Sequence, residues 1–236
     1  MLRAVLFDLD DTLYPEWQYV KSGFHAVATW LSPRIQVPEV ECFDRIWSMF
    51  QQGIRKNTFN QLLAAFGNKQ VELVPQMIDV YRNHAPVLEL YPDVLPILKR
   101  LKHRHIQIGL ISDGTYSSQK AKFDALGLFD YISNPVFTDV YGRENWKPST
   151  YPFLKACELL LVEPQSACYV ADNPTKDFIA PRQLEMTSFR IRRSDGQNSN
   201  LEPESISAAP DHELETLEEL LRYLPEPLDE TGMFLE

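Results

Sequence analysis

Asp8 and Asp10 stand two residues apart in the run Phe7-Asp8-Leu9-Asp10-Asp11-Thr12. In extended backbone, side chains two apart project to the same side. Two carboxylates held that close are unstable without a cation or a shared proton. Asp172, in Ala171-Asp172-Asn173, adds a third acid, and Asp177 follows five residues on. Oxygen donors of this kind, with a carbonyl and waters, suit octahedral Mg²⁺. Ser112-Asp113-Gly114 offers a hydroxyl and a glycine that lets backbone approach an anion. Lys147, before Pro148, offers a positive charge. A metal, a lysine and a hydroxyl together make a clamp for a phosphoryl group, whose transfer is mostly a matter of positioning and charge neutralisation.

These residues need a scaffold that delivers them to one place. Residues 2–8 read as a short buried strand, apolar without alternation, as in a parallel sheet covered on both faces. Further strands are expected at 106–112, 133–137, 167–172 and 187–192, with helices at 92–101, 117–126, 148–161 and 175–184 between them. Strands alternating with helices predict an α/β fold, a Rossmann-like parallel sheet core flanked by helices. In such sheets ligands bind beyond the carboxyl ends of the strands. Asp8, Asp10, Ser112, Asp113 and Asp172 all fall there. Between the first and second strands the rhythm breaks: Val20, Phe24, Val27, Leu31, then Phe43, Ile46, Trp47 and Phe50, recur at helical spacing. The chain therefore divides into a discontinuous core, 1–14 with 89–236, and an inserted all-helical subdomain, 15–88. Residues 193–212 read as a polar loop, 212–224 as an amphipathic helix and the last dozen residues as a loose acidic tail.

The bulk properties narrow the function classes. The chain has 236 residues, 44% hydrophobic and 24% charged, enough for a sizeable core. Its net charge of −10 argues against a nucleic acid polymer or an anionic membrane surface as partner. It leaves room for a small anionic substrate in a locally positive site. Cys42, Cys157 and Cys168 show no paired spacing, so neither a zinc site nor a disulfide framework is expected. A reduced, cytoplasmic setting follows. No secretory leader and no membrane-spanning window is present in the sequence given. Monomer and homodimer are both compatible with it.

The four stretches, taken in order, resemble the motifs of the haloacid dehalogenase (HAD) superfamily of phosphohydrolases: DLDDT at 8–12, SDG at 112–114, Lys147 in NWKPS, and DNPTKD at 172–177. The resemblance implies an Mg²⁺-dependent phosphatase working through an aspartyl-phosphate. Asp8 would be its nucleophile and Asp10 its general acid and then base. Ser112 and Lys147 would hold phosphoryl oxygens. Asp8, the Asp10 carbonyl and Asp172 would ligate the metal, with Asp177 orienting it. Thr12, Asp113, Gly114, Tyr14 and Trp17 would line the substrate site. The insertion corresponds to a small alpha-helical, C1-type cap, with Trp17, Tyr19, Lys21, His25 and Arg55 as specificity candidates. A small phosphorylated metabolite, a nucleotide or sugar phosphate, is the expected substrate; nucleotidase-like and sugar-phosphate phosphatase members share the DDTLYPE opening.

Two departures stand out. Asp113 replaces the family's usual Asn, and Ala171 its common Gly. An acid beside a phosphate site must be paired, protonated or turned away. The roles also require a raised pKa at Asp10 in the bound state. Three other readings compete. Asp10 argues against a metal-free dehalogenase, and Thr12 favours hydrolysis over a sugar-phosphate mutase. A catalytically weak binding or regulatory module is disfavoured by the retained acids.

Overall fold

The computed structural model describes residues 1–225. The chain forms two compact units, one taking in residues up to Glu16 and from Glu89 onward, the other Trp17–Leu88.

The larger unit is built on a six-stranded sheet: β1 (Ala4–Phe7), β2 (Gln107–Ser112), β3 (Val136–Phe137), β4 (Ala167–Ala171), β5 (Thr187–Ile191) and β6 (His212–Leu214). The order is β3-β2-β1-β4-β5-β6 and every pairing is parallel. β1 is central, with Phe7 paired to Leu110 on one side and Val170 on the other. All four residues of β1 are fully buried. That explains its uninterrupted apolar run: both faces are covered. Leu6, Ile111, Tyr169 and Ala171 pack with Phe153 and Cys157 in one continuous core. All three cysteines are buried free thiols.

The smaller unit draws on four helices, α1 (Glu16–Ile35), α2 (Glu39–Gln51), α3 (Thr58–Ala65) and α4 (Leu73–Asn83). Val20, Phe24, Val27, Leu31, Ile46 and Met77 form its own core. Within the larger unit, the chain's departure and return are joined by a bond from the Tyr91 N–H to the Leu13 carbonyl, 3.0 Å.

Four helices accompany the sheet: α5 (Val94–His103), α6 (Tyr116–Ala125), α7 (Tyr151–Leu160) and α8 (Ile179–Gln183). Several differ from expectation for local reasons. Lys147-Pro148 does not open a helix; α7 starts three residues later, with Pro152 in its first turn, where no N–H is needed. β3 keeps two of its five expected residues, because Pro135 has no N–H to give a ladder. α8 starts only at Ile179. Ahead of it, Asn173 Oδ1 takes the Thr175 N–H at 2.9 Å and Asp177 Oδ2 takes the Asn173 N–H at 3.1 Å, holding the segment as a turn. The expected helix at 212–224 is instead β6 followed by a 3₁₀ helix, Leu217–Tyr223, capped by Thr216 and Glu219. Pairing of 212–214 with β5 overrides the helical pattern. The acidic tail from 226 lies outside the described residues. No helix among the described residues is long and apolar enough to cross a membrane.

Candidate active site

β1 hands over to the site at Asp8, whose N–H donates to the Val170 carbonyl at 2.9 Å. Beyond it the strand stops. The Leu13 N–H turns back to the Leu9 carbonyl, and Asp11 takes the left-handed backbone conformation at φ 51°. That turn separates the two acids that strand geometry placed on one side. Asp8 joins Asp172 and Asp177 in a buried cluster whose offered oxygens all lie within 4.8 Å of one another. The Asp10 carboxylate leaves that cluster for a different set of partners.

In the cluster, Lys147 Nζ lies 2.6 Å from Asp8 Oδ1 and 2.8 Å from Asp177 Oδ1, and donates to the Tyr169 hydroxyl at 2.9 Å. Burying an ammonium is costly without such partners; here its pKa is pushed well up, the two aspartates outweighing burial. Burial raises the Asp8 pKa to about 6, with Lys147 pulling it down and Asp177 pushing it up. Asp172 is pushed well above the usual carboxylate range by burial, then by Asp177 and Asp8. Among the described residues no lysine or arginine forms an ion pair with Asp172. Lys147 pairs directly with two of the three carboxylates and Lys176 acts on Asp8 and Asp177 from further off, so the cluster is short of positive charge whenever its acids are ionised. A divalent cation held by oxygen ligands fits that donor set.

Asp10 is clamped from α6 and from its own turn. Lys122 Nζ lies 2.7 Å from Oδ1, the Tyr14 hydroxyl donates to Oδ1 at 2.5 Å, and Gln119 Nε2 donates to Oδ2 at 2.8 Å. Burial pushes the Asp10 pKa up, but Lys122 and these donors outweigh it and the net shift is downward. The raised pKa expected for the bound state is therefore not a property of the unliganded site. Gln119 also donates to Ser112 Oγ at 2.6 Å, so one amide joins two of the anticipated residues. Tyr14 is fully buried, with its hydroxyl committed to Asp10.

Asp113 is paired. Its Oδ2 faces Lys176 Nζ at 3.1 Å, and its Oδ1 accepts from the Thr138 hydroxyl at 2.8 Å and the Lys147 N–H at 3.2 Å. Burial pushes its pKa up, yet Lys147 and Lys176 bring it below the ordinary value. Gly114 adopts φ 132°, and a Cβ there would meet the Gln119 side chain at 2.9 Å, so only glycine fits. Thr12 is fully buried and its hydroxyl has no hydrogen-bond partner. Asp11 braces the turn, accepting from the Glu16 and Gln197 N–H groups at 2.8 Å each.

Trp17 belongs to the helical unit and packs against its core. There His25 stacks on Phe43 with centroids 3.6 Å apart, Lys21 lies over Trp47, and the Arg55 guanidinium lies 3.7 Å from the Phe50 ring centroid. Tyr19 packs edge-on to Tyr81.

The sequence reading missed Gln119, Lys122, Tyr169 and Lys176. Gln119 and Lys122 carried a signal, since polar residues three apart on a helix that follows a site strand share one face. Lys176 lies inside the DNPTKD motif itself. Tyr169 sits in a strand of apolar residues and gave none.

A family model described as haloacid dehalogenase-like hydrolase matches residues 2–184. A glyceraldehyde 3-phosphate phosphatase of Methanopyrus kandleri is 29% identical over 230 residues, covering 94% of this chain and 96% of that protein. Among solved structures, a HAD phosphatase from Thermococcus onnurineus is 25% identical with a TM-score of 0.61, covering 99% of this chain and all of the other. A 2-haloacid dehalogenase from Pseudomonas syringae aligns with a TM-score of 0.63 at 23% identity over 95% of this chain and all of the other, a likeness of fold alone.

Proposed function

This chain belongs to the haloacid dehalogenase-like hydrolases as a phosphoric monoester hydrolase, and we propose that it is an Mg²⁺-dependent phosphatase acting on small sugar phosphates through an aspartyl-phosphate. The observation that carries the reading is the buried Asp8–Lys147–Asp177 pairing beside an Asp172 that has no cationic partner among the described residues.

Asp8 attacks the phosphorus: an Asp8 oxygen–phosphorus bond forms and the ester oxygen–phosphorus bond breaks. Lys147 holds Asp8 in line and neutralises it. The leaving alkoxide takes a proton from Asp10, which must have gained that proton as the phosphoryl charge arrives, since the unliganded site holds it ionised. Asp10 then accepts a proton from water as that water attacks the phosphorus, releasing phosphate and freeing Asp8. Ser112, Lys147, the backbone at Gly114 and the unpartnered Thr12 hydroxyl bind phosphoryl oxygens. Asp113, paired with Lys176, positions the Lys147 main chain. Asp8, Asp172 and Asp177, with the Asp10 carbonyl, would hold Mg²⁺. When bound, the metal supplies positive charge to the phosphoryl oxygens and removes the repulsion among the acids. The helical unit, with Trp17 at its start, selects the substrate as a cap. The name of the Methanopyrus relative favours the sugar-phosphate side of the expectation, with triose phosphates first.

A phosphometabolite panel with Mg²⁺ tests this. We expect phosphate release from triose and related sugar phosphates, abolished in Asp8→Asn. Release that persists in Asp8→Asn rules out the mechanism; turnover of nucleotides or phosphopeptides in place of sugar phosphates rules out the substrate class.

A further inference from the structure

The family match stops at 184, before the segment that follows β5. By composition that segment, from Arg192 through Asn200, is an ordinary polar loop. Its hydrogen bonds set it apart, because they converge on both sides of the acid cluster.

Arg190, Arg193 and Gln197 tie it down. Arg190, fully buried at the end of β5, donates from Nε to the Asp172 carbonyl at 3.1 Å and from Nη2 to the Asn198 carbonyl at 2.9 Å. One guanidinium therefore fixes the spacing between the backbone of Asp172 and the backbone of Asn198. Arg193 donates from Nε and Nη2 to the Thr12 carbonyl at 3.3 and 3.0 Å, and the Gln197 N–H donates to Asp11. The turn after Asp8 is thus gripped by the same short segment. Within this frame, Asn198 Nδ2 donates to Asp172 Oδ2 at 2.8 Å.

Besides closing its own turn through the Gly196 and Ser199 N–H groups, the segment places a side-chain donor on the single cluster carboxylate that lacks a cationic partner among the described residues. Partners of this kind orient ligands and tune affinity.

We propose that the segment Arg193–Asn198 is a positioning element of the active site, in which Asn198 engages one oxygen of Asp172, leaves the other for the cation, and so sets metal affinity. The inference rests on the reading of Asp8, Asp172 and Asp177 as the cation site.

The test is Mg²⁺ titration of the full chain by calorimetry, without substrate, on wild type, Asp172→Asn and Asn198→Ala, together with melting in EDTA. Wild type is expected to bind and Asp172→Asn to lose binding. Asn198→Ala should bind about 10–100-fold more weakly while its melting temperature in EDTA stays at the wild-type value. If wild type and Asp172→Asn behave alike, the cation-site reading fails and this inference with it. If Asp172→Asn loses binding but Asn198→Ala matches wild type, the cation site stands and the positioning role is overturned. A fall in melting temperature in EDTA that accounts for the weaker binding also overturns it, by making Asn198 a structural residue only.

Discussion

Lys122 Nζ stands 2.7 Å from Asp10 Oδ1, on the helix that follows β2, while Gln119 from the same helix holds the other oxygen at 2.8 Å. A carboxylate has about four lone-pair sites. Tyr14 and Lys122 occupy Oδ1, so a free position remains on Oδ2, beside the Gln119 bond. On the proposed mechanism, proton exchange with the leaving group would fall to Oδ2.

Lys122→Met separates leaving groups. An alkyl phosphate needs a proton on its departing oxygen, whereas p-nitrophenyl phosphate does not. With its ion pair to Asp10 lost and only Tyr14 and Gln119 left to place that carboxylate, kcat/KM for an alkyl phosphate should fall about 10²-fold and that for p-nitrophenyl phosphate should change little. Equal losses on both substrates would mean that Lys122 supports the fold and not proton transfer.

The acid cluster gives the metal-free protein an unusual pH dependence. Asp8 has a folded pKa of about 6 against an ordinary 3.8, so its neutral form is favoured by folding. Stability from Asp8 is fully present below about pH 4 and is lost as pH rises through about 6. Glu16, pushed up to about 7 by burial and then by Asp10, has the same sign. Asp10 and Asp113, both shifted down, act oppositely but only at lower pH. In EDTA the melting temperature should therefore drop between pH 5 and pH 7.5, and Mg²⁺ should remove the drop. A metal-free protein that melts higher at pH 7.5 would contradict this.

Protons and cation also compete for Asp8. The apparent Mg²⁺ affinity should weaken as pH falls below about 6, because the ligand must be deprotonated. Titrations at pH 5 and pH 7.5 measure it; equal affinities would remove Asp8 from the ligand set.

Asp113→Asn keeps an acceptor for the Thr138 hydroxyl and the Lys147 N–H but releases Lys176. That ammonium is about a third exposed, so the pair contributes at most about 1 kcal/mol to stability. The freed charge should lower KM for a phosphate ester several-fold while kcat changes little. A raised KM would show that the Asp113 carboxylate itself aids substrate binding.

The placement of Asp8, Ser112 and Asp172 was legible because it depends on one rule, that apolar runs become parallel strands whose carboxyl ends meet. What failed was local. The turn that sends the Asp10 carboxylate to α6 depends on a left-handed Asp11, which strand periodicity does not encode. The partners of Asp113 and Asp172 come from residues 63 and 26 positions away, and distance of that kind leaves no trace in spacing. His212–Leu214 reads as part of a helix by pattern, and only the open side of β5 makes it a strand.

The sheet's outer members, β3 and β6, have two and three residues. An exposed strand of ordinary length is a template on which another chain can add, and short outermost strands remove it. Among the described residues, the sheet's two edges thus offer little backbone on which a second copy could continue it, at the places where a parallel sheet is most open to such addition.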